Sequence, residues 1–344
     1  MSETTRIRLN APYLLLIGTE SRPTFAKTAM GLVQWCPDKV IGQLRFEGCE
    51  LDLGVPDVSV TEAARSDCGS LVVGVAPVGG KVPDSWWSVM EQAARAGIDV
   101  VSGLHLRLDD HPGLVAAAKA GNARLIDVRI PPADLPVGSG KPRSGRRILT
   151  VGADCAIGKK YTALALHRAL ARAGADATYR ATGQTGIMIA GEGIPIDSVV
   201  ADFISGAAEV LSPDNQPDHF DIIEGQGSIF HPGYSGVALG LLHGSQPDGF
   251  VVCHDPLRES VSGWPHFGLP SLEEVMDAHV RMGQRTNARI RCVGISVNTS
   301  SLSTEDRATC LKQLARQTGL PCVDPLIDGC DAIARHLLDE LTGR

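Results

Sequence analysis

No cysteine in this chain stands in a CxxC pair, no stretch approaches the length of a membrane span, and no face is crowded with lysine and arginine. The nine cysteines are scattered and odd in number, which argues against a zinc site or a disulfide framework and for reduced thiols. The start, MSETTRIRLNAPYLLLIG, lacks the apolar core and cleavage site of a secretory signal, so a cytoplasmic protein is expected. A formal charge of −7 without a basic stripe denies a nucleic-acid partner its usual electrostatic footprint, though it leaves room for a basic pocket around a small anion. There is no internal repeat, no low-complexity tract and no G-x-G-x-x-G opening a helix, so a dinucleotide fingerprint is missing as well.

What remains is the composition of a globular enzyme, with 43% apolar and 21% charged residues over 344 positions, a length that favours two domains. Short β-rich runs alternate with amphipathic segments, the pattern of an α/β fold with helix-covered parallel sheets. In the first part the expected strands are 13–18, 39–44, 70–76, 98–103 and 123–129. The helices between them include 84–97 and 111–121, with Gly97 and Gly121 suited to left-handed C-terminal caps. This reads as a Rossmann-like domain over 1–130. Residues 131–146, rich in Pro, Gly, Ser and basic side chains, make the linker. From 147 to 344 the alternation resumes with RILTV, ATYRAT, FDIIE, GFVVC and RCVGISV, in a second, P-loop-like domain. Capping signals open two later helices, at Ser271 with Glu274 and at Ser303.

The most informative stretch is GADCAIGKKYT, residues 152–162, between an apolar strand and a helical run. A glycine-containing turn there puts backbone N–H groups around an anion at the positive end of a helix dipole, and Lys159 adds a cation. The plainer alternative is a strand-to-helix turn with Lys159 in solvent. Nucleotide hydrolases place a Ser or Thr hydroxyl after the lysine to hold Mg²⁺, but Lys160 stands there and would repel a metal. Thr162 lies about 200° further round a helix and substitutes poorly. The loop therefore suits a ligand whose phosphates stay intact, with coenzyme A the leading candidate and no metal required. Its candidate cofactor contacts are Gly152, Asp154, Cys155, Gly158, Lys159, Lys160 and Thr162, with Asn298 at the end of the last core strand placed to meet an adenine ring or to close a loop. Cys155 sits where a thiol pKa is lowered, yet a bound phosphate would crowd it, which favours packing over acyl transfer.

Around the loop lie further strand ends. FDIIEGQGS brings Glu224 and Gln226 to the carboxyl edge of the sheet, with Glu224 either a base or merely a counter-charge for the loop lysine. The following His231-Pro232 is expected to shape a turn. YRATGQTG offers Arg180, Gln184 and Thr185 to a polar substrate, unless its glycines only permit a tight turn. CHDPLRES contributes His254 and Arg258. In the first domain, GVAPVGGKVP at 74–83 is either a cover for the ligand, with Lys81, or a surface loop.

Taken together, GADCAIGKK, TGQTG, IEGQGS followed by HP, and GVAPVGGKVP with VSGLH resemble the DgcN-type D-glutamate N-acetyltransferase family, formerly a domain of unknown function, over nearly the whole chain. The second domain is also similar to dethiobiotin synthetase, with the same longer loop spacing and a strand ending in Glu-Gly, but departs from it at Lys160. The resemblance implies acetyl transfer from acetyl-CoA to the amino group of D-glutamate. Direct attack would need a base, Glu224 first and His254 second, and backbone N–H groups for the oxyanion. Arg180, Arg258 or Lys160 would hold the substrate carboxylates, and a homodimer is the expected assembly. An ATP- and Mg²⁺-dependent ligase or kinase, and a coenzyme A or nucleotide sensor without turnover, are the competing readings.

Overall fold

The computed structural model describes residues 6–75 and 82–342. In chain order its elements are β1 (Ile7–Arg8), β2 (Tyr13–Gly18), α1 (Lys27–Trp35), β3 (Val40–Arg45), α2 (Val60–Ala63), β4 (Ser70–Val73), α3 (Asp84–Arg95), β5 (Asp99–Ser102), α4 (Pro112–Gly121) and β6 (Leu125–Asp127). There follow β7 (Arg146–Gly152), α5 (Lys159–Arg172), β8 (Ala177–Arg180), α6 (Gln184–Ala190), β9 (Glu192–Gly193), α7 (Ile204–Leu211), β10 (Phe220–Ile223), α8 (Ser235–Ser245) and β11 (Gly249–His254). The chain closes with β12 (Ser260–Val261), β13 (Trp264–Gly268), α9 (Leu272–Gly283), β14 (Arg291–Val297), α10 (Thr304–Thr318), β15 (Cys322–Val323) and α11 (Asp331–Thr342). No helix among the described residues is long and apolar enough to cross a membrane.

The fold divides into two compact units, the first made of the described residues up to Pro132 together with Gly183–Pro195, the second of Ala133–Thr182 and everything from Ile196 on. In the first, β3-β2-β4-β5-β6 form a parallel five-stranded sheet, the doubly wound order. All six residues of β2, YLLLIG, are buried, as a central strand covered on both faces must be. The expected cap at Gly97 is found, with φ at 84°. At the end of α4 the left-handed residue is Asn122 instead, with φ at 54°. Gly121 meets a different need: a Cβ there would lie 1.9 Å from the Ala94 carbonyl oxygen, so the glycine allows α4 to approach α3.

The excursion Gly183–Pro195 leaves the second unit after Thr182 and returns at Ile196, whose N–H donates to the Thr182 carbonyl at the neck. Its β9 pairs antiparallel with β1, and the Lys39 ammonium donates to the carbonyls of Ile189 and Ala190 at the end of α6.

The second unit is built on a parallel six-stranded sheet, β15-β14-β11-β7-β10-β8. β7 lies between β10 and β11, so the loops after these three strands meet at one carboxyl edge, where ligands of open α/β sheets bind. Both capping signals are realised: Ser271 and Glu274 form a complete capping box on α9, and the Ser303 hydroxyl accepts the Asp306 N–H on α10.

Candidate functional site

Gly152 ends β7 and can only be glycine, because a Cβ would lie 2.3 Å from Ile157 and 2.8 Å from the Cys253 carbonyl oxygen. The turn that follows passes through left-handed Ala156, at φ 51°, and Gly158, at φ 104°, before α5 begins at Lys159. The first N–H groups of that helix have no intrahelical acceptor and converge on the space inside the turn.

Asp154 braces this turn. Fully buried, its carboxylate accepts the N–H of Cys155, the N–H of Ser262 at 2.9 Å and the Arg258 guanidinium at 2.9 Å, and these donors hold it below the ordinary carboxylate range against the opposing effect of burial. Arg258 also donates to the Cys155 carbonyl at 2.8 Å. Two expected ligand contacts are thus corrected: Asp154 shapes the loop from behind, and Arg258 is engaged with the loop through Asp154 and the Cys155 carbonyl. The Lys159 ammonium donates to the Asp154 carbonyl at 2.6 Å, and burial lowers its pKa from 10.5.

Thr162, counted among the cofactor contacts, faces the sheet instead. Its hydroxyl meets Ser296 at 2.7 Å, the Gly158 carbonyl at 3.0 Å and the Cys253 sulfur at 3.3 Å, because three residues beyond Lys159 the helix has turned inward. Lys160 lies with its ammonium 4.7 Å from the Tyr161 ring centre. Burial pushes the Cys155 thiol above its ordinary 9.0, only partly offset by Lys159, so the protonated thiol persists at neutral pH.

On the β10 side, Glu224 is 4% exposed and its Oε2 accepts from the Tyr179 hydroxyl and the Thr182 N–H, both at 3.0 Å. Thr182 returns a bond from its hydroxyl to the Glu224 carbonyl at 2.7 Å and accepts one from Gln226 at 3.0 Å. The ends of β8 and β10 are thereby laced together. Gly225 follows because its Cβ would lie 1.7 Å from the Thr150 carbonyl oxygen. Arg180, expected at a substrate carboxylate, has Asp221 as a buried partner at 2.6 Å. Gln184 and Thr185 lie on α6 in the first unit, where the Gln184 amide engages Gly103 and Arg129 and the Thr185 hydroxyl lies 3.3 Å from that of Thr28.

On the β11 side, a cavity of about 400 Å³ is bounded by Ala153 and Ile157 of the loop, by His254, Asp255 and Arg258, and by the start of α9. Burial lowers the His254 pKa from 6.5, partly countered by Asp255, so its imidazole is neutral at pH 7. Asn298 donates to Asp255 at 3.3 Å and accepts the Ser300 N–H, which fixes it beside this cavity's wall. Of the first-domain loop 74–83, residues 76–81, including Lys81, lie outside the described residues.

His231 shapes the turn as expected, its Nδ1 accepting the Gly233 N–H at 3.0 Å. His231 is 1% exposed, and one of its ring nitrogens lies within 4.8 Å of a carboxylate oxygen of Asp154 and the sulfur of Cys155. These three carry metal-ligand chemistry, but the Asp154 carboxylate is already claimed by its donors.

A family model for the P-loop domain of DUF1611, a domain of unknown function, matches residues 136–334. The chain belongs to this family. The companion model, the Rossmann-like DUF1611 N-terminal domain, matches residues 44–131. A D-glutamate N-acetyltransferase of Tritonibacter scottomollicae is 45% identical over 333 residues, 97% of this chain and 99% of that protein. Another of that name from Pseudoalteromonas sp is 43% identical over 331 residues, 96% of this chain and all of the relative. The crystal structure of a DUF1611 family protein from Anabaena variabilis, 34% identical, superposes with a TM-score of 0.80 over 97% of this chain and 100% of that one. The two-domain DUF1611 architecture therefore runs the length of the described molecule.

Proposed function

We propose that the protein is an N-acetyltransferase that moves the acetyl group of acetyl-CoA to the amino group of D-glutamate, giving N-acetyl-D-glutamate and free coenzyme A. Nearly full-length similarity to two proteins of that name supports the reaction. The observation that carries the choice of an intact phosphate ligand is the loop itself: Lys160 replaces the metal-binding hydroxyl, and the Thr162 hydroxyl is turned onto Ser296. No metal is needed to hold a phosphate against helix N–H groups and a lysine. The phosphates of coenzyme A belong at the turn, in contact with its backbone, Lys159 and Lys160.

His254 is the better base of the two candidates. It is neutral at pH 7, it borders the cavity beside the loop, and it can take the proton from the substrate ammonium. The freed amine attacks the thioester carbonyl, backbone N–H groups of a strand-end glycine loop stabilise the oxyanion, and the coenzyme A sulfur leaves and is protonated. Glu224 holds β8 to β10 through its bonds to Tyr179 and Thr182. The free cysteines support a reducing, cytoplasmic location, and a homo-oligomer is the usual assembly for such an enzyme.

The test is to incubate the full chain with acetyl-CoA and D-glutamate in the presence of EDTA, following thiol release and the acetylated product by mass. Stoichiometric appearance of both is expected. Absence of transfer, together with ATP consumption that requires Mg²⁺, would overturn the reading in favour of a ligase or kinase.

A further inference from the structure

We propose that a second anion site lies at the amino edge of the six-stranded sheet, where Arg143, Arg146, Arg289 and Arg291 line a cavity and hold the phosphate group of a small molecule. The site is independent of the acetyl-transfer reading and uses none of its residues.

The topology brings the arginines together. β14, β11 and β7 are parallel neighbours, so they start at one edge. Arg291 begins β14, Asp248 directly precedes β11 and Arg146 begins β7. A cavity of about 320 Å³ lies there, with Arg143, Arg146, Arg289, Arg291, Asp248 and Glu340 in its lining. The basic end of the expected linker, KPRSGRR at 141–147, supplies the first two of these cations. β7 runs seven residues from Arg146 to Gly152. At about 3.3 Å per residue its ends stand roughly 20 Å apart, which separates this cavity from the turn that follows Gly152.

Four guanidinium groups face two carboxylates in the lining, an excess of two positive charges. Asp248 answers Arg289 at 3.6 Å, and Glu340 answers Arg291 at 3.0 Å. Arg143 and Arg146 have no carboxylate partner among the described residues. Arg143 spends only Nη2, on the carbonyls of Gly244 and Ser245, and Arg146 lies over the Phe220 ring at 5.3 Å. Nε and Nη1 of Arg143 and Nη1 of Arg146 are buried without a hydrogen-bond partner. Burial, and then the neighbouring Arg147, lower the Arg143 pKa to about 10, so the group is still cationic at neutral pH. Buried charged donors left unmatched are costly, and their presence on the wall of a cavity calls for an acceptor. The carboxylates that act on Arg143 from beyond the lining are engaged elsewhere: Glu209 with the N–H groups of Ser139 and Gly140, Asp214 with Ser144, and Asp221 with Arg180. The wall is also preorganised, because Arg147, 4% exposed, donates to the carbonyls of Arg143, Ser144 and Gly145 and so fixes the segment that carries Arg143.

The donors set the ligand class. Three unmatched nitrogens on two residues outnumber the two oxygens of a carboxylate, whereas a phosphate monoester offers three terminal oxygens. Its charge of about −2 also matches the excess in the lining, and planar guanidinium groups are the side chains suited to it.

Calorimetric titration of the full chain with inorganic phosphate, in EDTA and at constant ionic strength, tests the site, with succinate as the dicarboxylate control. Arg146→Gln removes a cation that holds neither a carbonyl nor a carboxylate. Glu340→Gln removes the acid that competes for Arg291. Phosphate should bind the parent, about tenfold more weakly in Arg146→Gln and about threefold more tightly in Glu340→Gln. Succinate should bind the parent at least about tenfold more weakly than phosphate. A gain in one variant beside a loss in the other cannot come from impaired folding, and phosphate seated at the far edge, on the turn after Gly152, would ignore both substitutions. Should Arg146→Gln fail to fold, the gain in Glu340→Gln still decides. No binding in the parent, unchanged binding in a folded Arg146→Gln, unchanged or weaker binding in Glu340→Gln, or succinate bound as tightly as phosphate would each overturn the proposal.

Discussion

His254 ends β11 and Glu224 directly follows β10, the strands on either side of β7, and their surroundings push them to different tasks. Burial depresses the His254 pKa, so the neutral form that can accept a proton persists at pH values where an ordinary histidine, near 6.5, is half protonated. The acid limb of kcat/KM for acetyl transfer should therefore lie below pH 6.5. Replacing His254 by Ala should remove that limb and cost about 10²–10⁴-fold in kcat with Tm little changed. Glu224 instead accepts two buried donors through one oxygen. In Glu224→Gln an amide must face donors that need an acceptor, so a stability loss of about 1–3 kcal/mol is expected, with turnover per folded molecule largely kept. Denaturant melts combined with active-site-normalised rates check both halves. A Glu224→Gln variant that is stable and inactive beside an active His254→Ala would reverse the assignment. At this scale the sequence exposed chemical types but not partners. Asp154, Arg258, Arg180 and Thr162 all looked available because a one-dimensional reading sees a polar side chain near a loop, whereas each has a buried partner contributed from a distant segment.

Elements were more legible than side chains, because periodicity and capping are local. Each of the β-rich runs quoted for the two sheets is a strand, and Ser271 and Ser303 open α9 and α10 as their spacing requires. What escaped is short or exposed: β15 has two residues, and all of β13, WPHFG, is exposed, so neither alternation nor an apolar run marks it. The cap of α4 fell on Asn122 because the packing of Gly121 against Ala94 outranks cap preference. α9 also has a consequence for pH. Its His279 is 2% exposed, lies against Phe250 and donates from Nδ1 to the Val275 carbonyl at 2.7 Å, and burial lowers its pKa to about 4. The unfolded chain, with a histidine near 6.5, then binds more protons than the native one between pH 6.5 and about 4. Its contribution is complete above pH 6.5 and is lost as pH falls toward 4, by up to about 3 kcal/mol. In His279→Asn, which keeps a donor for the Val275 carbonyl, the fall in unfolding free energy across that window should be shallower by a comparable amount. Denaturant titrations at pH 4.5 and 7 measure it, and an unaltered slope would assign the acid sensitivity elsewhere.

Across the whole molecule, the second part of the sequence is not spatially one block. The run YRATGQTG reads as a strand followed by a turn, and no composition shift marks the point where the chain departs. Contacts place Gly183–Pro195 with the first unit, a grouping that only three-dimensional packing reveals. Within that excursion Ile187, Met188 and Ile189 are 0%, 1% and 5% exposed, and β9 closes on β1. Three such side chains are worth on the order of 5 kcal/mol by burial, against a total of about 5–15 kcal/mol for a domain. A fragment ending at Pro132 would also leave the Lys39 ammonium without the carbonyls of Ile189 and Ala190. It should therefore lack a cooperative unfolding transition, although it contains the complete five-stranded sheet. Joining residues 183–195 to it through a flexible Gly/Ser linker should restore the transition. Circular dichroism melts of the two fragments decide the matter: a cooperative melt of the shorter one at the same midpoint would mean that the sheet and its own helices suffice, and that the excursion is held by the first unit without contributing to its stability.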